Sequence, residues 1–438
     1  MVDDPMTPET AAAKFSRSRK YVILFIVSWM TLAATWSASS IFIATPEISV
    51  EFQTTSDILT ILNAGVLICM GVSPLLWSPI GLLCGRRNSY NAAILIFAAA
   101  SIGTALAPNL GVFTTMRLLG GTTGTYFLVA GQTILADIFE PVKRGKAVGF
   151  FMTGSVAGPA LGPCISGVIV TFTHWRYIFW LQVAMVCLGL VLSIFFVPEI
   201  QSTLGAQQET RPKSLREIAL VFDPRGVFAQ LLVPRILLAH LTCGLLATTQ
   251  YGLLAAIRHI INPRFNLSTP LVSGLFYIAP GLGFFTGSIV GGRLSDRTVR
   301  HYIVKRGGVR IPEDRLHSGL VGLFGVLPAA ALIFGWTLEK EVGGLAVPII
   351  SAFWIGIGLM GTFNSLNTYA AEASPERRSE VLSAKYVIQW AFGAASTAAV
   401  IPFIDATGPG LVFTVFSLLD ILGGCAVIYV IKSLRKKV

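Results

Sequence analysis

The stretch GSVAGPALGPCISG, residues 154–167, lies inside a long apolar run yet holds four glycines and two prolines. In a soluble helix each Gly costs about 1 kcal/mol against Ala and each Pro about 3, a gross penalty of roughly 10 kcal/mol. Either the segment is not a helix, or it is a helix that needs small residues and a soft backbone. Gly154, Gly158 and Gly162 recur every fourth residue and form one smooth strip on a helix, where another helix can approach closely. Pro159 and Pro163 remove backbone hydrogen bonds beside that strip and let the helix bend. The spacing therefore predicts a close-packed, bendable helix within a membrane bundle.

Composition points the same way. The chain has 438 residues, 53% hydrophobic and 13% charged, where a globular enzyme carries about 25% charged residues. Apolar stretches of bilayer-crossing length recur along the sequence, so the fold class is an all-α polytopic membrane protein. Cys69, Cys84, Cys164, Cys187, Cys243 and Cys425 all fall in or at the ends of apolar runs, with no CxxC pair and no histidine at metal-ligand spacing. They read as small core residues. The opening MVDDPMTPETAAAKFSRSRK is polar throughout and reads as a cytoplasmic tail rather than a cleavable signal peptide.

Apolar windows place twelve spans near 21–44, 57–83, 89–107, 111–136, 146–170, 176–197, 234–257, 271–292, 317–337, 345–370, 380–403 and 410–431. This organises the chain into a tail (1–20), a six-helix bundle (21–197), a polar then amphipathic linker with short surface helices (198–233), a second six-helix bundle (234–431) and a short tail (432–438). With the N-terminus inside, Arg176, Arg258, Arg264 and Lys340 are outside and Arg117 is within a span. The rest of the 33 lysines and arginines are assigned to the tails and inner loops. That is the positive-inside rule, so the formal charge of +11 is a topology signal and needs no nucleic-acid partner. Asn266 begins a glycosylation sequon in an outer loop, but its closeness to the next span argues against use. The loops SPIGLLCGRRNSY and GSIVGGRLSDRTVR place small then basic residues at the end of the second helix of each half, a trace of internal repetition.

Together these features resemble the major facilitator superfamily, in particular its fungal twelve-span drug:proton antiporter group. The superfamily's fifth-helix motif G-x-x-x-G-P-x-x-G-G is matched by Gly154, Gly158, Pro159 and Gly162, with Pro163 in place of the last glycine. The resemblance implies a pivot and seal at that helix. In LADIFEPVKRGKAVGFF, Asp137, Glu140, Arg144 and Gly145 match the loop between spans four and five. The inner-loop signature G-x-x-x-D-R-x-G-R-R, which latches neighbouring helices, is broken in the first half. There Gly85, Arg86 and Arg87 remain, while Leu82 and Leu83 replace its Asp and Arg. The second copy keeps Gly292, Asp296 and Arg297, so the latch is expected mainly in the second half.

Buried charges are the sharpest functional pointers. Arg117, in TTMRLLGGTTG, matches a family motif implicated in proton coupling. A cation inside a span costs about 2.5–3.5 kcal/mol on insertion scales, so it faces a cavity or partner, or else snorkels to the outer surface. Asp420, near the middle of the last span, is either a proton-exchanging group or a structural hydrogen-bond acceptor. His240 is a third coupling candidate beside the reading of a satisfied core histidine. In this fold helices 1, 4, 7 and 10 line the cavity, which nominates Thr31, Thr35, Trp36, Tyr126, Thr249, Gln250, Tyr251, Asn364 and Asn367, joined by Gln389 and Trp390. Apolar walls with a few polar groups suit a small amphipathic ligand.

The resemblance implies a secondary active exporter working by alternating access. The tracts VSWMTL, GQTILADIFEPV and AKYVIQWAFGAASTAAV look closest to exporters of itaconate and similar organic acids. A proton-coupled multidrug, secondary-metabolite or toxin efflux pump is the alternative, and a nutrient importer on the same fold is disfavoured by the fifth-helix motif. No HExxH, GxSxG or P-loop is present, which argues against an enzyme or an ATP-driven pump. The expected partners are a small-molecule substrate, the lipid bilayer and protons, with no cofactor, metal or nucleic acid. The expected state is a monomer in the plasma membrane with both termini cytoplasmic.

Overall fold

The computed structural model describes residues 16–139, 141–197, 222–266, 269–374 and 377–435, which form helices and turns with no strand among them. All twelve predicted spans fall on helix. We label them α1 (Arg17–Ser39), α2 (Ser56–Cys84), α3 (Arg86–Ala105), α4 (Leu110–Ile138), α5 (Pro141–Phe172), α6 (Arg176–Phe196), α7 (Pro234–Phe265), α8 (Ile278–Lys305), α9 (Leu327–Glu339), α10 (Ala346–Ala373), α11 (Arg378–Thr407) and α12 (Pro409–Arg435). Among the described residues, ten helical segments are long and apolar enough to cross a membrane. The two that fall short are α3, which opens on Arg86, Arg87 and Asn88, and α4, which carries Arg117 and a run of threonines.

Where helices depart from their predicted bounds, local chemistry explains it. Asn109 caps α4, its side chain accepting from the Val112 N–H at 2.9 Å. Pro280 leaves the Phe276 carbonyl without an i+4 donor, and a seven-residue helix (Pro270–Phe276) breaks from α8 there. Pro328 does the same to Phe324, and the ninth span widens into a π turn at Gly322–Val326 before α9. Helix α7 runs beyond the expected 257 to Phe265 and stops at Asn266, whose φ of 51° is the left-handed conformation favoured after a helix end. Helix α8 likewise continues beyond 292 to Lys305. Most of the amphipathic linker, 198–221, lies outside the described residues, and its remainder includes a short helix at Arg225–Ala229.

The described chain falls into two compact units. One holds the described residues of Met1–Ala38, Val72–Gly158 and Arg176–Pro224; the other holds Ser39–Gly71, Pro159–Trp175 and those of Arg225–Val438. In the first unit Phe113 and Phe179 meet edge-on at 5.7 Å between α4 and α6. In the second, Phe334 and Phe413 join α9 to α12 at 4.8 Å.

Helix contacts use small residues, since lipid offers no hydrophobic drive for helices to associate. In the first unit α5 lies on α1: a Cβ on Gly154 would strike the Ser28 carbonyl, and one on Gly158 would strike Thr35. Gly162, in the second unit, faces Ser39 in the same way. The strip predicted from the four-residue spacing is thus a seat for α1. Pro159 and Pro163 both lie inside a continuous α5. A parallel seam joins α8 to α10, where Gly283, Gly287 and Gly291 leave room for Phe353, Ile357 and Gly361.

Candidate functional site

Arg117 sits seven residues into α4, about 10 Å along the helix axis, and is buried. Its guanidinium Nη1 donates to the Ser37 carbonyl at 2.8 Å and to Ser37 Oγ at 3.0 Å. The guanidinium carbon lies 5.6 Å from the Phe179 ring centroid. Of the sequence alternatives, the structure favours the inward-held arginine over one snorkelling to the surface. Both residues help to solvate the charge. Thr35 lies in the α1–α5 seam, its hydroxyl donating to the Thr31 carbonyl at 3.0 Å, and Trp36 beside it is buried. Tyr126, expected on a cavity wall, belongs to the packing of α2, α3 and α4 instead. Its ring stacks on Trp77 at 5.6 Å and its hydroxyl bonds Ser89 Oγ at 2.7 Å.

The second unit holds a set of buried polar groups on α7, α10, α11 and α12. Asp420 is fully buried; one carboxylate oxygen accepts from Thr249 Oγ1 at 3.0 Å, and the other has no hydrogen-bond partner among the described residues. His240 is 1% exposed and neither ring nitrogen has a partner there. Gln389 Oε1 and Trp390 Nε1 are also unpartnered. The Tyr251 ring lies 5.5 Å from Trp390, and Gln250 is buried next to it in sequence. Asn364 is committed to the α8–α10 seam through a 2.7 Å bond to the Ser288 carbonyl. Most buried polar atoms in proteins find a partner, so these bare ones are open to water or a ligand.

One functional candidate escaped the sequence reading. Lys385 was assigned with the inner-loop cations, although it falls inside the predicted 380–403 span. In the structure it is 1% exposed within α11, its Nζ donating to Asn367 Oδ1 at 2.7 Å and lying 3.7 Å from the Tyr386 ring. The signal was its place in AKYVIQWAF, an apolar tract; the nearby basic loop SPERRSE drew it to the wrong side of the boundary.

The loop motifs also rearrange. Arg86 pairs with Asp137, joining the start of α3 to the end of α4, and Arg87 donates to the Ile194 carbonyl at 2.6 Å. The first-half signature, expected to latch weakly, therefore takes its counter-charge from Asp137, outside the broken signature. In the second half Asp296 pairs with Arg315 at 3.1 Å, and Arg315 also pairs with Glu372 at 3.0 Å. Arg306 grips the buried Asp314 through two 2.6 Å bonds, which push the Arg306 guanidinium pKa upward. Arg297 is exposed, with no ion pair among the described residues. Glu140 and the Arg144 side chain lie outside the described residues, as does Ser268 of the Asn266 sequon. Arg258, predicted outside, forms a two-bond ion pair with Glu47 at 2.9 Å within the second unit. Among the described residues no group of three His, Cys, Asp or Glu side chains gathers in a way that could hold a metal.

Residues 24–398 match the Major Facilitator Superfamily. The chain belongs to this superfamily. It is 26% identical over 429 residues to the MFS transporter cpaT of Aspergillus oryzae, covering 94% of this chain and 84% of that relative. It is 23% identical to the MFS antiporter QDR3 of Candida albicans, covering 98% of this chain and 80% of that one. The crystal structure of a D-xylose-proton symporter shares the fold with a TM-score of 0.72 over 94% of this chain and 97% of that chain, at 16% identity. This superfamily member is a multi-pass membrane transporter and not an enzyme.

Proposed function

We propose that the protein is a secondary active exporter of a small organic metabolite, with an itaconate-like organic acid favoured, working by alternating access between two six-helix bundles. The observation that carries this reading is the set of buried, unpartnered polar atoms of His240, Gln389, Trp390 and Asp420 among otherwise apolar helices. A few polar anchors in an apolar lining suit a small amphipathic solute. The antiporter name of the Candida relative supports export, as does the fifth-helix glycine motif. We place both termini in the cytoplasm of a plasma-membrane protein, as the positive-inside count implies.

Substrate charge decides the coupling. Moving two negative charges outward, down an inside-negative potential of 100 mV, yields roughly 4.6 kcal/mol, so a dicarboxylate can leave without protons. A neutral drug or toxin gains nothing from voltage and needs a proton drive of about 1.4 kcal/mol per pH unit. The second reading, a proton-coupled efflux pump, rests on Asp420, whose bare oxygen is a natural proton carrier.

The test is flux of labelled itaconate in proteoliposomes, with a pH gradient and a potassium-diffusion potential imposed separately. Saturable flux that follows voltage is expected. Proton release with amphipathic compounds and no itaconate flux would replace this reading with the second. Arg117→Ala is expected to abolish transport at normal expression, and wild-type flux in that variant would remove Arg117 from the mechanism.

A further inference from the structure

Lys385, Asn367 and His240 come from three different helices, and Lys385 bonds Asn367 at 2.7 Å. His240 is six residues from the start of α7, Asn367 six residues before the end of α10, and Lys385 seven residues into α11. At 1.5 Å per residue each lies about 10 Å inside its helix end. Lys385 and His240 are within electrostatic reach of each other. From this geometry we infer that the three side chains form a docking station for the carboxylate of an organic-acid solute, with Lys385 as its charged anchor.

Lys385 lacks a counter-charge among the described residues. An ammonium has three donors, and here one meets the neutral amide of Asn367 while the Tyr386 ring lies against the charge. Both solvate a cation without neutralising it. No carboxylate lies within ion-pair distance of Lys385 among the described residues. A buried charge is ordinarily paired, because taking it out of water is costly. His240 adds an independent sign: an imidazole carries at least one N–H in every protonation state, and here neither nitrogen has a partner. A carboxylate lying between the two would supply the missing charge to Lys385 and an acceptor to His240. Asn367, held by Lys385 through its carbonyl oxygen, keeps its amide N–H₂ free to orient toward the same anion. Lys385 and His240 are shut from solvent in this structure and Asn367 is half-buried, so the solute reaches the charged anchor when the helices part. The station is distinct from Arg117, which already has a carbonyl and a hydroxyl as partners.

This inference rests on the organic-solute reading above and names the group by which the solute is held. The experiment is thermal unfolding of the purified full-length chain titrated with itaconate, succinate, benzoate and, as the neutral control, dimethyl itaconate. The acids are expected to stabilise the wild type and the ester is not. Lys385→Gln is expected to weaken acid binding at least about 30-fold, while Lys385→Arg keeps most of it. Asn367→Asp gives a second, nearly isosteric probe: it places a carboxylate beside Lys385, and is expected to abolish acid binding while preserving a folded, monodisperse protein. Wild-type acid affinity in Asn367→Asp or in folded Lys385→Gln would overturn the station, as would a wild type stabilised by none of the acids. Lys385-dependent binding of succinate or benzoate in a protein that moves no itaconate would uphold the station and sink only the itaconate reading.

Discussion

The two halves of the chain carry the same loop signature and hold their helices with it in different ways. In the first half the signature has lost its Asp and Arg to Leu82 and Leu83, and Arg86 reaches Asp137 on the neighbouring hairpin. In the second half the Asp survives, but its partner is Arg315 rather than the adjacent Arg297, and Arg315 shares itself with Glu372. In the first half Arg86 and Asp137 are each about a quarter exposed; the second half has a network tying α8, the turn before α9, and α10. What the arrangement preserves is a cation between two helix ends, and the residue that supplies its counter-charge is exchangeable. A Coulombic contact at this depth needs proximity more than a fixed sequence offset.

That contrast predicts a graded response in the thermal midpoint of the detergent-solubilised protein. The largest loss is expected for Asp314→Ala, because the Asp314 side chain is 1% exposed and its removal strands Arg306, a cost of about 3 kcal/mol. Arg315→Ala, which empties two carboxylates of their shared partner, is expected to cost about 2 kcal/mol. Arg86→Ala should cost about 1 kcal/mol, and a double-mutant cycle with Asp137→Ala should return most of it as coupling. A zero coupling energy would show that the first half has no latch. Arg297→Ala is expected to leave the midpoint unchanged despite its place in the signature; a loss matching that of Arg315→Ala would mean that the signature and not the geometry sets the contact.

The legible part of this protein was the part written in local chemistry. Apolar runs located every span, because crossing a bilayer requires about twenty residues whose side chains tolerate lipid. The four-residue glycine spacing announced a close helix contact, and the structure put Ser28, Thr35 and Ser39 of α1 against it. Arg117 stood out because a lone cation in an apolar helix demands a partner. The identity of each partner was not legible. Successive residues point about 100° apart around a helix, so a small error in rotation exchanges a cavity wall for a packing seam. Tyr126 and Asn364 were exchanged in that way.

Lys385 marks the boundary between the two kinds of information. Hydropathy averages over a window and cannot tell a lysine just outside a span from one just inside it. The amino-acid sequence alone determined the superfamily, the spans and the residues that are costly to bury. Only the tertiary structure decided which of those residues come together, because that depends on how α7, α10 and α11 are rotated and registered. It sets Lys385 on Asn367 and within electrostatic reach of His240, from positions as far apart as 145 residues in the chain.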